Sequence, residues 1–198
     1  MIYKIDNLDK LTQENDKLLI IYGGSFSPPH IYHEQIIINL LSVLPNAKFI
    51  IVPVNDLYPK KDLITGCNKD NINHRIMMCN LMISDIKNKL GNNIDISISD
   101  ISFKYDIPKV DRFIPIDLKE LYPDYKGVFY FGQDVLDGFD TWDKEDKEAI
   151  TSNKYDIIVH PRDNDVSSSS IKKIKKENNH LENLIDPIKD YIMQYDLF

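Results

Sequence analysis

The stretch Leu18-Leu19-Ile20-Ile21-Tyr22-Gly23-Gly24-Ser25-Phe26-Ser27-Pro28-Pro29-His30-Ile31-Tyr32-His33 decides the fold. Residues 18–22 form an apolar run that stops at glycine, the mark of a buried strand. Gly23 and Gly24 carry no Cβ, so the backbone there can turn tightly and come close to a ligand. A helix is predicted from near Ile31 to residue 44, where Pro45 ends it. Strand, glycine turn and helix in one window form the opening unit of an α/β protein.

The same alternation continues outward. A second strand is predicted over 48–54, a helix over 71–90 with Gly91 as its stop, and a short strand over 94–99. Further on, 117–122 reads as a helix, 127–131 as a buried strand, 142–150 as an acidic helix and 155–160 as a strand. Helical segments at 167–177 and 184–194 close the chain. Pro108 and Pro115 break any long element in 102–115. Residues 1–17 are polar and weakly periodic, and read as an appended tail or short helix; 18–198 then form a single domain. Strands alternating with helices imply an α/β fold with a mainly parallel sheet.

With 198 residues, 42% hydrophobic and 28% charged, the chain has ordinary globular composition. No apolar run is long enough to span a bilayer, and no secretory signal opens the chain. Cys67 and Cys79 cannot build a disulfide framework, which suits a reducing cytosol or nucleus. The net charge of −7 argues against nonspecific nucleic-acid binding. A phosphate-rich small substrate needs only a local basic pocket, and the cations are clustered at Lys60, Lys61, Lys172, Lys173, Lys175 and Lys176.

His30 and His33 stand one helical turn apart at the start of the first helix, so both can point at one phosphate beside free N–H groups. A histidine pair at this spacing without further ligands is a weak zinc signal, and no metal-ligand set is assigned. The dinucleotide fingerprint G-x-G-x-x-G and the Walker G-K-[S/T] are both absent.

Gly23-Gly24-Ser25-Phe26-Ser27-Pro28-Pro29-His30-Ile31-Tyr32-His33 resembles the GG[T/S]FxPxHxGH signature of the nucleotidyltransferase superfamily. Val166-Ser167-Ser168-Ser169-Ser170-Ile171-Lys172 looks like its second signature, [I/V]SSTxIR. Phe131-Gly132-Gln133-Asp134 with Thr141-Trp142 is similar to the GQD…TW block of bacterial nicotinate-mononucleotide adenylyltransferases. Pro53-Val54-Asn55-Asp56-Leu57-Tyr58-Pro59-Lys60-Lys61-Asp62-Leu63 resembles the PVNDxYxKKxL segment of the eukaryotic nicotinamide-mononucleotide enzymes. His74-Arg75 continues that likeness, and the whole resemblance covers residues 18–198.

The resemblance implies a Rossmann-like, doubly wound, three-layer α/β/α domain of the HxGH type. It implies adenylyl transfer from ATP, with Mg²⁺, to nicotinate or nicotinamide mononucleotide. Phosphopantetheine adenylyltransferase activity and a non-catalytic nucleotide sensor are the alternatives. His30, His33 and Lys172 would act on the phosphates. Gly23, Gly24, Ser25, Phe26, Gly132, Asp134, Ser168 and Ser169 would complete the ATP site. Ser25, Phe26, Lys60, Lys61, Arg75 and Trp142 would face the mononucleotide, with Trp142 stacked on its ring. His74, His160 and His180 are left as structural. Small molecules are then the partners, with no nucleic acid or membrane, and self-association is common in the family.

Three departures stand out. Tyr32 replaces the usual glycine before the second histidine, and Lys172 replaces an arginine, keeping charge but losing bidentate geometry. Residues 112–118 replace the family's SYTxDTL element, which helps to hold the pyridine end. That last change bears on base specificity more than on activity.

Overall fold

A computed structural model of the chain describes residues 1–4, 7, 8, 11, 17–57, 71–107, 113–160, 170, 171, 173 and 181–197. Its strands are β1 (Ile2–Lys4), β2 (Leu18–Gly24), β3 (Lys48–Pro53), β4 (Ile96–Ile98), β5 (Lys126–Gly132) and β6 (Asp156–His160). They form one parallel sheet in the order β1-β6-β5-β2-β3-β4. The helices are α1 (Ile31–Val43), α2 (Asn71–Leu90), α3 (Phe113–Leu121), α4 (Gln133–Asp137), α5 (Lys144–Ser152) and α6 (Asp186–Gln194).

The period-2 geometry of the strands sorts their side chains into two cores. Leu18, Ile20 and Tyr22 of β2, with Phe49, Ile51, Val128 and Tyr130, face the layer built by α1, α2 and α6. Leu19 and Ile21, with Ile50, Val52 and Phe129, face α3 and α5. Helices on both faces of a parallel sheet make the three-layer α/β/α sandwich expected of this sequence. Among the described residues, no helix is long and apolar enough to cross a membrane.

β2 lies at the centre, bonded to β3 on one side and β5 on the other. After β2 the chain winds outward through β3 and β4, then returns across the sheet to place β5 and β6 on the opposite side. The carboxyl ends of β2 and β5 are therefore a topological switch point, where open α/β sheets leave a crevice.

The N-terminal residues correct the sequence expectation. Ile2–Lys4 is not a tail or helix but a strand, paired in parallel with β6. Leu8 and Leu11 are buried in the first core. The Met1 ammonium also bonds the buried Asp156 carboxylate at 2.5 Å. A three-residue strand is too short to show alternation, which is why the pattern hid it. A second correction concerns Pro115, expected to break structure: it stands in the first turn of α3, where a missing N–H leaves no helical bond unmade.

Gly127 in β5 is dictated by packing. A Cβ there would fall 1.9 Å from the Tyr155 ring, and the Tyr155 hydroxyl is tied to the Pro115 carbonyl at 2.8 Å, so the ring cannot swing aside freely. Gly127→Ala is expected to lower stability by about 1–3 kcal/mol through overpacking. Thermal melting should show a drop of roughly 3–10 °C; an unchanged melting temperature would mean that Tyr155 relaxes without cost.

Candidate active site at the switch point

The site is built on the exit from β2. Gly23 and Gly24 are the last residues of that strand, in register with Val52 and Pro53 of β3. The two glycines do different jobs. A Cβ on Gly24 would meet the Phe26 ring at 3.0 Å, whereas one on Gly23 would meet nothing within 4 Å. Gly24 thus makes room for the protein's own Phe26, and the space beside Gly23 is open at the crevice.

Phe26 was expected to face both substrates, but its side chain is fully buried. Its ring packs edge-on against Tyr22 at 5.3 Å and beside His33 at 4.9 Å. The cost of that inward ring is a left-handed backbone, φ 44°, which is rare outside glycine. Only the backbone of Phe26 is left to meet a ligand, and the ring serves instead as a floor for His33.

His30 caps α1 and His33 follows one turn later. The two rings stack, centroids 3.6 Å apart, as the spacing predicts. The His30 backbone N–H donates to Nδ1 of His33 at 3.1 Å. An Nδ1 that accepts carries no proton, so the proton of a neutral His33 ring sits on Nε2. That bond makes Nε2 the donor nitrogen of the neutral His33 ring. Stacked at this distance, two imidazolium rings would repel each other, and an anionic oxygen between or beside them relieves that repulsion.

The expectation of free N–H groups at the start of α1 is only partly met. Ile31 N–H donates to the Asn183 carbonyl at 2.9 Å, and His33 N–H bonds back to the His30 carbonyl at 2.9 Å. The imidazoles, more than the helix terminus, are what this element offers to an anion.

Asp134 arrives from the β5 side. Its carboxylate folds back over Gly132, where a Cβ would lie 2.7 Å from Oδ1. Burial raises the Tyr22 hydroxyl well above its ordinary pKa, and Tyr130 and Asp134 push it further in the same direction. Tyr22 also touches His33 at 5.9 Å and Tyr130 at 4.7 Å. The Tyr22–Tyr130 pair is therefore the bridge that brings the GQD turn and the histidine loop to one crevice.

Trp142 stands on the opposite face of the sheet. It is half-buried, with ring contacts to Phe139 at 5.1 Å and Phe131 at 5.8 Å. Ile171 is buried in the first core. Lys60, Lys61, Ser168, Ser169 and Lys172 lie outside the described residues. His74 bonds the Tyr191 hydroxyl at 2.8 Å, joining α2 to α6.

Arg75 differs from its expected role. Its side chain is wholly buried; Nη1 donates to the Ser25 carbonyl at 2.9 Å and Nη2 to Asp56 at 2.7 Å. Asn55 and Asp56, buried or half-buried at the C-terminal end of β3, were quoted in a motif but given no role. Their signal was available: open α/β sheets place functional residues just past their strands.

A paired charge lies beside the histidines, between α1 and α2. Glu34, next to His33, is buried at 2% exposure. It accepts from Lys89 at 2.8 Å, and Lys89 also pairs with Asp85 at 2.8 Å. Burial, then the hydrogen bond to Asp85, pushes the Glu34 carboxyl up to about 7 despite Lys89. Asp85 is held low, chiefly by the proton Glu34 donates to it. Cys79, buried on the inner face of α2, is an inert thiol pushed up to about 12 by burial.

A parallel sheet, a glycine exit at its switch point and a stacked histidine pair define a nucleotide-binding α/β protein of the transferase type. The chain belongs to the cytidylyltransferase-like family, whose pattern matches residues 21–174. A relative from Leptospira interrogans, named "Probable nicotinate-nucleotide adenylyltransferase", is 28% identical over 90% of this chain and 84% of its own length. One from Fusobacterium nucleatum with the same name is 30% identical over 83% of this chain and 75% of its own. Among solved structures, the Plasmodium falciparum nicotinic acid mononucleotide adenylyltransferase complexed with NaAD aligns over 91% of this chain and 97% of its own. Its TM-score is 0.64 at 24% identity, which speaks for a shared fold.

Two predictions follow from this geometry. Gly23→Ala should leave the melting temperature near wild type yet weaken ATP binding about tenfold or more in calorimetric titration, because the new methyl fills only ligand space. Unchanged affinity would place the ligand elsewhere. The second concerns pH. The native Glu34 titrates near 7 and an unfolded glutamate near 4.5, so the native state binds the extra proton between those values. Stability from this group is present below that window and lost as pH rises through it. In Glu34→Gln, the amide still donates to Asp85 and accepts from Lys89 without titrating. Its melting temperature should fall less than wild type's between about pH 5 and pH 8; parallel profiles would contradict the assignment.

Proposed function

We propose that the chain transfers the adenylyl group of ATP to a pyridine mononucleotide, nicotinate mononucleotide being the acceptor that its relatives' names indicate. The observation that carries the reading is the His30–His33 pair at the sheet's switch point, in a chain related over most of its length to proteins so named.

The chemistry asks little of the protein in covalent terms. An oxygen of the acceptor's 5′-phosphate attacks the α-phosphorus of ATP in line, the bond from that phosphorus to the bridging oxygen breaks, and pyrophosphate leaves with the electron pair. Catalysis is alignment plus stabilisation of the charge that builds on the α-phosphate and the leaving group. His33, with its proton held on Nε2, donates to an α-phosphate oxygen, and His30 supports the neighbouring phosphates. Gly23 lets the triphosphate approach the backbone, and the Ser25–Phe26 backbone lines the same passage. Gly132 and Asp134 take the adenosine side.

Ser168, Ser169 and Lys172 are proposed to hold the β- and γ-phosphates. Lys60 and Lys61 are proposed for the mononucleotide phosphate, and Trp142 for the pyridine ring. Trp142 and the histidines lie on opposite faces of the sheet, which supports a ligand lying across the strand ends with its ring on one side and its phosphates on the other. Mg²⁺ would neutralise triphosphate charge. The side chains proposed for the triphosphate are imidazoles, hydroxyls and a lysine, not carboxylates, which fits an ion that keeps mainly phosphate and water oxygens.

Purified protein is tested with Mg·ATP and each pyridine mononucleotide in turn, the dinucleotide and pyrophosphate being read by chromatography. Stoichiometric dinucleotide and pyrophosphate are expected, and His33→Ala should cut turnover by about 10²–10³-fold in a folded protein. Product with phosphopantetheine but with neither mononucleotide would overturn the reading, as would wild-type turnover in the histidine variant.

A further inference from the structure

Three loops at the C-terminal edge of the sheet are joined by one chain of hydrogen bonds. After β2, the Ser25 carbonyl accepts from Arg75 Nη1 at 2.9 Å. After β3, Asp56 Oδ1 accepts from Arg75 Nη2 at 2.7 Å. Asp56's neighbour Asn55 donates from its amide nitrogen to the Ile107 carbonyl at 2.9 Å, with a longer contact to Tyr105 O at 3.4 Å. The Tyr105 hydroxyl then donates to the Asp117 carboxylate of α3, 2.9 and 3.0 Å from its two oxygens. Arg75 is 0% exposed and Asn55 4%.

The residue types suit a linkage rather than a ligand contact. A guanidinium is planar and presents its donors as a rigid fork, so one side chain can fix two acceptors on different loops at a set separation. Here both Nη atoms are spent on the protein, and none of the side chain reaches solvent. Asn55 does the same toward the far loop, using the one part of an asparagine that can hold backbone carbonyls. The Tyr105 ring also stacks on Phe113 at 4.4 Å, so the far end of the chain is anchored to the start of α3. Residues 112–118 replace the element that the sequence resemblance ties to the pyridine end.

We infer that Arg75, Asp56 and Asn55 are positioning residues that set the distance between the phosphate loop at 23–27 and the pyridine-side residues at 101–107 and 113–118. The inference rests on the adenylyl-transfer reading. A mononucleotide must be gripped at two ends, phosphate and ring, and the linkage fixes how far apart those grips stand. Arg75 thus acts through Ser25 and Asp56, not by touching the mononucleotide.

Asn55→Asp and Arg75→Lys test it in the full-length chain. Asn55→Asp keeps the shape, removes the donor and sets a carboxylate against two carbonyl oxygens. Arg75→Lys keeps the charge and loses the fork. In each, KM for the mononucleotide should rise about tenfold or more while KM for ATP moves less than about threefold. Hydrogen–deuterium exchange, followed without substrate, should rise at 101–107 in Asn55→Asp and at 23–27 in Arg75→Lys. Arg75→Gln, which restores two donors without charge, should recover part of the mononucleotide KM. Wild-type KM and wild-type exchange in folded variants would overturn the inference. If the wild-type chain turns over neither mononucleotide, the functional reading fails, and the exchange arm decides the linkage alone: raised exchange upholds it and unchanged exchange overturns it.

Discussion

β2 is hydrogen-bonded on both edges, to β3 and to β5, and that double pairing constrains everything at its carboxyl end. A strand held on both sides cannot drift, so the chain must leave it by climbing out of the sheet at once. Gly23 and Gly24 make that exit possible, Phe26 turns inward beneath it at a left-handed φ, and α1 begins at Ile31 with its histidines already at the strand's end. The neighbouring strands run parallel and end at the same edge. They deliver Asn55 and Asp56 from β3 and Gly132 and Asp134 from β5 to the same place. Fixed strands set loop positions to within a side chain's reach, and hydrogen bonds across the loops set the rest.

The charge pattern follows the same economy. A chain with net charge −7 is a poor long-range attractor of nucleotides, so its phosphate affinity must be local. Among the described residues the crevice is offered imidazoles, backbone and the Asp134 carboxylate, and the buried cation Arg75 is committed to the protein. Lys89, which stands below α1, is neutralised by Glu34 and Asp85. The histidines therefore sit above a charge-balanced cluster, and their own protons are what a phosphate meets.

The fold was legible because its central strands are buried on both faces and read as unbroken apolar runs. The helices α1 and α2 were legible because proline, glycine and polar caps punctuate them. β1 escaped notice since three residues carry no period, and its burial depends on β6, distant in sequence. α3 was read short because Pro115 looks like a breaker until it is seen in a first helical turn. At the site, His30, His33, Gly132 and Asp134 stood out through motif spacing, and Tyr22 lies between His33 and the field of Asp134. The inward ring of Phe26 and the committed guanidinium of Arg75 were not legible. For Arg75, whether the side chain faces ligand or protein depends on partners 19 and 50 residues away, which no local pattern encodes.

Everything proposed for catalysis turns on His33 holding its proton at Nε2 toward the crevice. The ¹⁵N resonances of its imidazole, followed with and without a non-hydrolysable ATP analogue, test this most directly. The account predicts an unprotonated, hydrogen-bond-accepting Nδ1 in both states and an Nε2–H whose shift moves on nucleotide binding. A proton on Nδ1 in the neutral ring, or an Nε2 resonance indifferent to saturating nucleotide, would contradict it.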